Sequence, residues 1–278
     1  MTTQTLERAI ALIRILAASG IEGSRLVELQ HASGLTKPTV HRILDTLKNE
    51  GVVEQLGENR RYRLGQELAV LGWSANRTVY DLKDLAAEEM AAVATKTGDT
   101  SFLAIRSGTE AVCIDRQTGG YPVKAFTVEV GTRRPLGIGA TGVALLAALQ
   151  PEEAEVVLDA IQEQLTRFPN APVRQIREAM VNARRDGYAL SDGLMLPGVR
   201  GLAVVIRDAS ERPIAAIGTA AISDRMSAKR IPEIVRILRT HANHVQQRIV
   251  AAESRTGTGS VRQFKASGPR GQASRRSK

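Results

Sequence analysis

Apolar positions recur with a helical period in three successive segments near the start of the chain. Residues 5–19 have the pattern of an amphipathic helix. Ser24 is a suitable N-cap for a short second helix that ends near Gly34, and Thr36 is a suitable N-cap for a third. The buried face of the third helix is marked, at positions i, i+3, i+4 and i+7, by Val40, Ile43, Leu44 and Leu47. The pattern therefore predicts three helices separated by tight turns.

Two short segments of β character follow the third helix. Residues 52–56 and 60–64 flank the turn Gly57-Glu58-Asn59 and are rich in strand-forming side chains. Helix, helix, turn, helix and hairpin is the order of elements in a winged helix-turn-helix. We therefore predict such a domain for residues 1–65, followed by linker helices over residues 66–97.

Beyond residue 100 the pattern changes to strands mixed with longer helices. Strand segments are predicted at residues 101–106, 111–116, 124–130, 202–207 and 214–221. Helical periodicity marks residues 140–149, 152–165, 172–186 and 228–253. This mixture predicts an α+β domain over an antiparallel sheet, with bounds near residues 98–253.

The charge of the chain is concentrated at one end. The formal net charge is +9, and residues 254–278 contribute +7 of it because they hold seven basic residues and no acidic one. This basic segment is rich in Gly, Ser and Thr and is predicted to be a disordered tail. It could neutralise DNA phosphates or serve only as a solubilising extension. The overall charge alone does not establish DNA binding.

Composition excludes two other classes of protein. No stretch approaches the 18 or so apolar residues of a membrane span, and the N-terminus lacks a signal-peptide core. Cys113 is the single cysteine, which excludes an internal disulfide and any site built from several cysteines. These features favour a cytoplasmic protein that does not bind membranes.

The third helix carries a polar face opposite its buried stripe. On a helical wheel, Arg42, Thr39 and Pro38 point away from the core, and Lys37 and His41 flank them. An arginine at this position suits guanine in the major groove, whereas threonines at a helix N-terminus suit phosphates. The residues predicted to contact DNA are Arg25, Thr36, Lys37, Pro38, Thr39, His41, Arg42, Arg60 and Arg61. A solvated helix face, or a surface for protein contacts, is the alternative interpretation of the same pattern.

Several motifs taken in order resemble the IclR-type transcriptional regulators. In the first domain they are Thr5–Ala9, Gly34–Leu44 and Arg61–Gly65. In the second domain they are Gly131–Leu136, Ala140–Ala147, Arg185–Tyr188 and Pro197–Ala203. The resemblance covers roughly residues 4–250. It implies a regulator that binds a double-stranded DNA operator as a dimer or tetramer, with repression as the family habit. Helix one and the second linker helix offer apolar stripes for a partner copy.

The same resemblance implies a GAF-like C-terminal domain that binds a small organic acid. By position, the effector pocket would involve Val123, Phe126, Ala140, Thr141, Ser191, Gly201, Gly218 and Ala220. Most of these side chains are small and apolar, which leaves room in the pocket. We therefore expect an effector larger than a two- or three-carbon acid, and an aromatic carboxylate is favoured.

Three features suggest other chemistry but are weak. The sequence Gly137–Gly142 matches G-x-G-x-x-G, but no buried strand directly precedes it and no acidic strand end follows at the spacing that a dinucleotide site needs. His241 and His244 could touch one metal ion, but no cysteine or acidic cluster completes a site in the sequence. Cys113 is expected in a strand, buried or half-buried. We therefore predict no catalytic residues, metal or cofactor, and a regulator rather than an enzyme.

Overall fold

The computed structural model describes residues 2–20, 22–57, 60–75, 77–124 and 128–256. Its first part contains three helices and three short strands. They are α1 (Thr2–Ala18), β1 (Ser24–Arg25), α2 (Leu26–Ser33), α3 (Lys37–Asn49), β2 (Val53–Gln55) and β3 (Arg61–Leu64). The strands form an antiparallel sheet in the order β1-β3-β2. This confirms the winged helix-turn-helix prediction.

The winged helix has its own small hydrophobic core. Each of its three helices contributes a fully buried leucine, and the fully or largely buried members of the core are Leu12, Leu16, Leu29, Val40, Ile43, Leu44, Val53 and Tyr62. The predicted N-cap at Ser24 was wrong, because Ser24 pairs with Tyr62 in the sheet and Arg25 occupies the cap position of α2. A residue just before a helix can therefore belong to a strand when a neighbouring strand, here β3, is available for pairing.

Two helices connect this domain to the rest of the chain. They are α4 (Glu67–Ala75) and α5 (Arg77–Thr97). The apolar stripe of α5 was expected to be open to a partner copy, and that expectation was wrong. Leu82, Met90 and Val93 are buried in one core with the C-terminal helix α9 (Ile231–Thr256).

The second domain is built on a six-stranded antiparallel sheet in the order β6-β5-β4-β9-β8-β7. Helices α5 and α9 cover one face of the sheet, and three further helices cover the other. The remaining elements are β4 (Thr100–Ser107), β5 (Glu110–Gln117), β6 (Arg133–Pro135), α6 (Gly139–Ala147), α7 (Pro151–Leu165), α8 (Val173–Asp186), β7 (Ala189–Asp192), β8 (Val199–Arg207) and β9 (Pro213–Ile222). The predicted α+β class with an antiparallel sheet is confirmed.

Most predicted elements are present within a few residues, and the differences lie at the sheet edges. The strand expected at residues 124–130 is not seen in its described part, since Val128 to Val130 lead into a turn. The edge strands β6 and β7 were not predicted because they are short. Helix α9 runs to Thr256, so the predicted tail begins as helix, and residues 257–278 lie outside the described part. No described helix combines the length and apolar character that crossing a bilayer demands.

Candidate functional sites

Helix α3 presents its polar side chains outward from the winged-helix core. Val40 and Leu44 are fully buried and anchor the helix, whereas Lys37, Pro38 and Arg42 are exposed. The orientation follows from the 3.6-residue period, which separates the two sets of side chains onto opposite faces. The leading residues of α3 are therefore accessible to a macromolecular partner.

The start of α3 differs in detail from the expectation. Thr36 occupies the N-cap position, but its hydroxyl makes no capping hydrogen bond to the backbone. Instead, the Thr36 Oγ1 atom lies 2.9 Å from the Thr39 Oγ1 atom. The two hydroxyls thus form one polar patch at the positive end of the helix dipole, a suitable place for a phosphate oxygen.

A surface groove runs between α3 and the wing. Lys37, His41 and Arg60 line it, together with Asp45 and Lys48. The Asp45 carboxylate lies 2.9 Å from His41 Nδ1 and 3.3 Å from Lys48 Nζ. Because the single acidic residue of this lining is balanced by its neighbours, the described lining of the groove keeps an excess of positive charge.

Arg61 has a structural role that the sequence did not indicate. Its NH1 group donates a 2.7 Å hydrogen bond to the Gly23 carbonyl and lies 3.5 Å from Glu28 Oε2. Glu28 also accepts a 2.8 Å hydrogen bond from the backbone N–H of Arg25. Arg61 therefore ties the wing to the start of α2 and is not freely presented at the wing tip, whereas Arg25 and Arg60 are exposed.

The second candidate site is a narrow cavity of about 60 Å³ between α6 and the sheet face that α6 covers. Six of the residues predicted for the pocket are brought together in its lining. They are Ala140, Thr141, Ser191, Gly201, Gly218 and Ala220. Val123 is absent from the described lining, and its side chain is 54% exposed in a loop. Phe126 lies outside the described residues.

Small residues on the sheet are what allow α6 to lie so close to it. A Cβ atom at Gly201 would come within 3.1 Å of Ala140 Cβ, and one at Gly218 would come within 3.2 Å of Thr141 Cγ2. Gly137, just before α6, allows close packing against α8, since a Cβ there would lie 2.5 Å from Ile176 Cγ2. The G-x-G-x-x-G match is thus a packing corner, and the antiparallel sheet excludes a dinucleotide fold there.

The sequence interpretation missed other lining residues of the cavity. Phe102, Cys113, Arg134 and Met195 contribute to its walls. Burial, followed by the nearby Asp115 carboxylate, raises the pKa of Cys113 to about 11, so the thiol stays protonated at neutral pH. For Arg134 the signal that could have found it is strand alternation after residue 131, but the three-residue strand β6 is too short to show it.

The two histidines of α9 meet a carboxylate that the sequence did not connect to them. Glu89 Oε2 of α5 lies 2.5 Å from His241 Nδ1 and 3.1 Å from His244 Nδ1. On the other side of its ring, His241 Nε2 lies 3.1 Å from Lys96 Nζ. An ammonium group can only donate, so Nε2 accepts and Nδ1 donates its hydrogen to Glu89. The expectation that no acidic residue joins these histidines was therefore wrong.

The electrostatics of this trio favour a polar link between α5 and α9. Burial alone raises the pKa of Glu89, but hydrogen bonds from His241 and His244 outweigh it and hold that pKa below its usual value. Arg248 adds a cation, with its NH2 group 3.1 Å from Glu89 Oε1. A metal ion bound at Nδ1 would put a hydrogen on Nε2, facing the Lys96 ammonium group. That clash argues against a metal ligand set in this arrangement.

Both halves of the chain match known domain families. The IclR helix-turn-helix domain matches residues 5–57, and the bacterial transcriptional regulator IclR C-terminal domain matches residues 76–247. The chain is 30% identical to the HTH-type transcriptional regulator XynR of Escherichia coli, over 80% of this chain and 88% of that protein. It is 28% identical to the transcriptional repressor IclR of the same organism, over 83% of this chain and 84% of that protein.

Solved structures share the same architecture. A putative IclR transcriptional regulator from Silicibacter sp. TM1040 superposes with a TM-score of 0.72 at 25% identity, covering 88% of this chain and 96% of that one. An IclR homologue from Microbacterium hydrocarbonoxydans, solved in complex with 4-hydroxybenzoate, superposes with a TM-score of 0.68 at 23% identity, covering 89% and 99%. Both sequence relatives are named as regulators of transcription, the class of protein that the sequence predicted for this chain. With both domain families matched in their proper order, the chain belongs to the IclR family of bacterial transcriptional regulators.

Proposed function

We propose that this protein is a sequence-specific repressor that binds a double-stranded DNA operator and responds to a small organic acid. The observation that carries the proposal is the exposed polar face of α3, which is held outward by the buried Val40 and Leu44. A recognition helix needs this arrangement because its first residues must reach base edges in the major groove.

In this proposal, the residues of the winged helix divide between bases and phosphates. Arg42 reads a base edge, for which guanine O6 and N7 are the best partners. Lys37, Thr36 and Thr39 contact phosphates at the N-terminus of α3. Pro38 and His41 border these contacts. Arg25 and Arg60 approach the backbone from the wing side, and Arg61 supports the wing instead of touching DNA.

The cavity under α6 is the proposed effector site. Its described lining is mostly apolar with a few polar groups, which is usual for small-molecule sites. The start of α6 has no side-chain cap, so its backbone N–H groups are available to a polar group of the ligand. Support for an aromatic carboxylate comes from the Microbacterium homologue that was solved with 4-hydroxybenzoate.

Self-association is part of the same proposal. One winged helix offers too little surface for strong specific binding, so two copies would read two half-sites. Exposed apolar side chains on α1 (Leu6, Ile10) and α4 (Val70, Leu71) are candidates for the contact between copies. We further propose that the basic tail beyond Thr256 adds sequence-independent affinity for DNA, and that the protein acts in the cytoplasm.

The test is capture of genomic DNA by the purified full-length protein, followed by sequencing. We expect wild type to enrich a small set of fragments that share a motif, and Arg42→Ala to lose this enrichment. Arg174→Ala is a matched control, because Arg174 is an arginine of α8 whose side chain is 89% exposed. Adding 4-hydroxybenzoate should change the amount of captured operator. Equal enrichment by wild type and Arg42→Ala would reject the proposed reading face.

A further inference from the structure

Strand β6 places two successive arginines on opposite faces of the sheet. Arg134 pairs with Ala111 of β5, and Arg133 pairs with Val112. Side chains alternate along a strand, so neighbouring positions point to opposite sides. Ala111 and Arg134 both line the cavity under α6. The same residue type therefore occurs at adjacent positions in two different environments.

Arg133 belongs to an ion pair outside the cavity. Its Nε atom donates a 2.9 Å hydrogen bond to Glu110 Oε2, and its NH2 group donates a 2.8 Å hydrogen bond to Ser107 Oγ. Both partners lie at the hairpin between β4 and β5. These bonds explain Arg133 as a structural residue that fastens the edge strand to the sheet.

Arg134 brings a formal charge into a mostly apolar cavity. Among the described lining residues it is the one charged side chain. Its NH1 group contacts the thioether sulfur of Met195, which also lines the cavity. Burial lowers the pKa of the Arg134 guanidinium, as expected for a cation with reduced hydration.

These surroundings match a ligand that carries a negative charge. A cation that has lost part of its hydration gains more from a nearby anion than an exposed one does. The guanidinium group is planar, and its parallel N–H groups fit the two oxygens of a carboxylate. The other polar lining groups, such as the Thr141 and Ser191 hydroxyls, carry no charge and suit hydroxyl or carbonyl substituents.

We propose that Arg134 binds the carboxylate of the effector and sets the preference of the cavity for acids over neutral compounds of the same shape. The ligand class is a carboxylate with a mostly apolar body. This inference rests on the proposed effector-binding function, and it assigns the charge recognition to one side chain on β6.

The test compares carboxylic acids with their own amides. Isothermal titration calorimetry on the full-length protein would use benzoate, 4-hydroxybenzoate and phenylacetate, each beside its primary amide. We expect wild type to bind at least one acid ten or more times more tightly than the matching amide. Arg134→Met should reduce this ratio below about three, because the charged partner is lost while the side-chain bulk is kept.

Two further variants separate charge recognition from folding. Arg134→Lys keeps the positive charge but lacks the planar guanidinium group, so it should retain a reduced preference for the acid. This variant tests the inference even if Arg134→Met folds poorly. Arg133→Met is the matched control on the same strand, and its acid-to-amide ratio should equal that of wild type. Circular dichroism melting would show whether each variant is folded.

Two results would overturn the inference. One is an unchanged acid-to-amide ratio in folded Arg134→Met or Arg134→Lys, and the other is failure of wild type to bind any of the three acids. Fluorescence anisotropy with captured operator DNA is measured on the same samples. If acids bind through Arg134 but leave DNA affinity unchanged, the proposed regulation fails while the inference stands.

Discussion

Helices α3 and α6 both begin after a tight turn, yet they present opposite kinds of surface. In α3 one stripe is buried and the rest is polar and exposed. In α6 most residues are buried, including Ala140, Val143 and Leu146, and its start closes one wall of a cavity. The first helix displays chemistry on its own outer face, whereas the second contributes to a site that several strands complete.

The difference shows how much information each helix carries alone. The amphipathic period of α3 separates core from contact face without reference to any other segment. The site beside α6 depends on which strands lie next to one another, since only the order of the sheet brings Gly201 beside Ala140 and Gly218 beside Thr141. The exposed face of α3 can thus be predicted from the sequence of that helix alone. The cavity beside α6 depends on how the strands of the sheet are arranged.

The largest expected effect tests whether the two regions fold independently. Leu44 is fully buried in the winged-helix core, and among the described residues that core contains none from the second domain. Leu44→Ala should destabilise the winged helix by about 2–5 kcal/mol and abolish DNA binding. Calorimetric acid binding by the same variant should persist. The control Val156→Ala, at a 68% exposed position on α7, should change neither, and joint loss of both activities in Leu44→Ala would show that the regions are not separate.

The next prediction concerns a variant that should lose acid binding and keep DNA binding. Ala220 is 7% exposed and lines the cavity, so Ala220→Leu should fill space that a ligand needs. We expect acid affinity to fall at least tenfold while anisotropy reports unchanged operator binding. Ala87→Leu, at an exposed position on α5, adds the same side chain elsewhere. Undiminished acid binding in Ala220→Leu would place the ligand in another site.

A smaller effect uses the single cysteine as a reporter. Because the pKa of Cys113 is raised to about 11, chiefly by burial, iodoacetamide should modify it slowly at neutral pH in the folded protein. A bound acid should slow the reaction about threefold further, because Cys113 lines the same cavity. Intact-mass spectrometry over time would follow it, with unfolded protein in urea as control. Equal rates with and without the acid would argue against occupancy beside this thiol.

The smallest effect concerns pH and the link between α5 and α9. The pKa of Glu89 is lowered in the folded protein, so its ionised form adds stability above the unfolded pKa of about 4.3, and this part is lost as pH falls through the folded value. Glu89→Gln should therefore show a shallower fall in melting temperature between about pH 5 and pH 3 than wild type. The control is Glu88→Gln, because Glu88 is an exposed residue that pairs with Arg248. Its melting temperature should fall with pH as steeply as that of wild type. Parallel curves for Glu89→Gln and wild type would contradict this role.

The sequence predicted best those elements in which the apolar residues repeat over several turns of a helix. Helices α3, α7 and α8 were predicted within two residues of their ends because each has a full apolar stripe. The three-residue strand β6 and the pairing of Ser24 with Tyr62 could not be predicted, since each depends on a distant partner strand.

The candidate sites follow the same division. The exposed side chains of α3 could be selected from a helical wheel, but the tether from Arg61 to Gly23 could not. Six cavity residues came from family resemblance alone. Arg134 escaped because only the register of β6 against β5 reveals which of two adjacent arginines points inward.

The burial of α5 against α9 has a mechanical consequence. Since Leu82, Met90 and Val93 complete the same core as Ile234 and Leu238, α5 moves as part of the second domain. A fragment for separate expression should therefore begin before α5, because cutting the chain at residue 98 would remove one of the two helices that cover this face of the sheet. Any movement of the winged helix relative to this core must then occur on the N-terminal side of the buried part of α5.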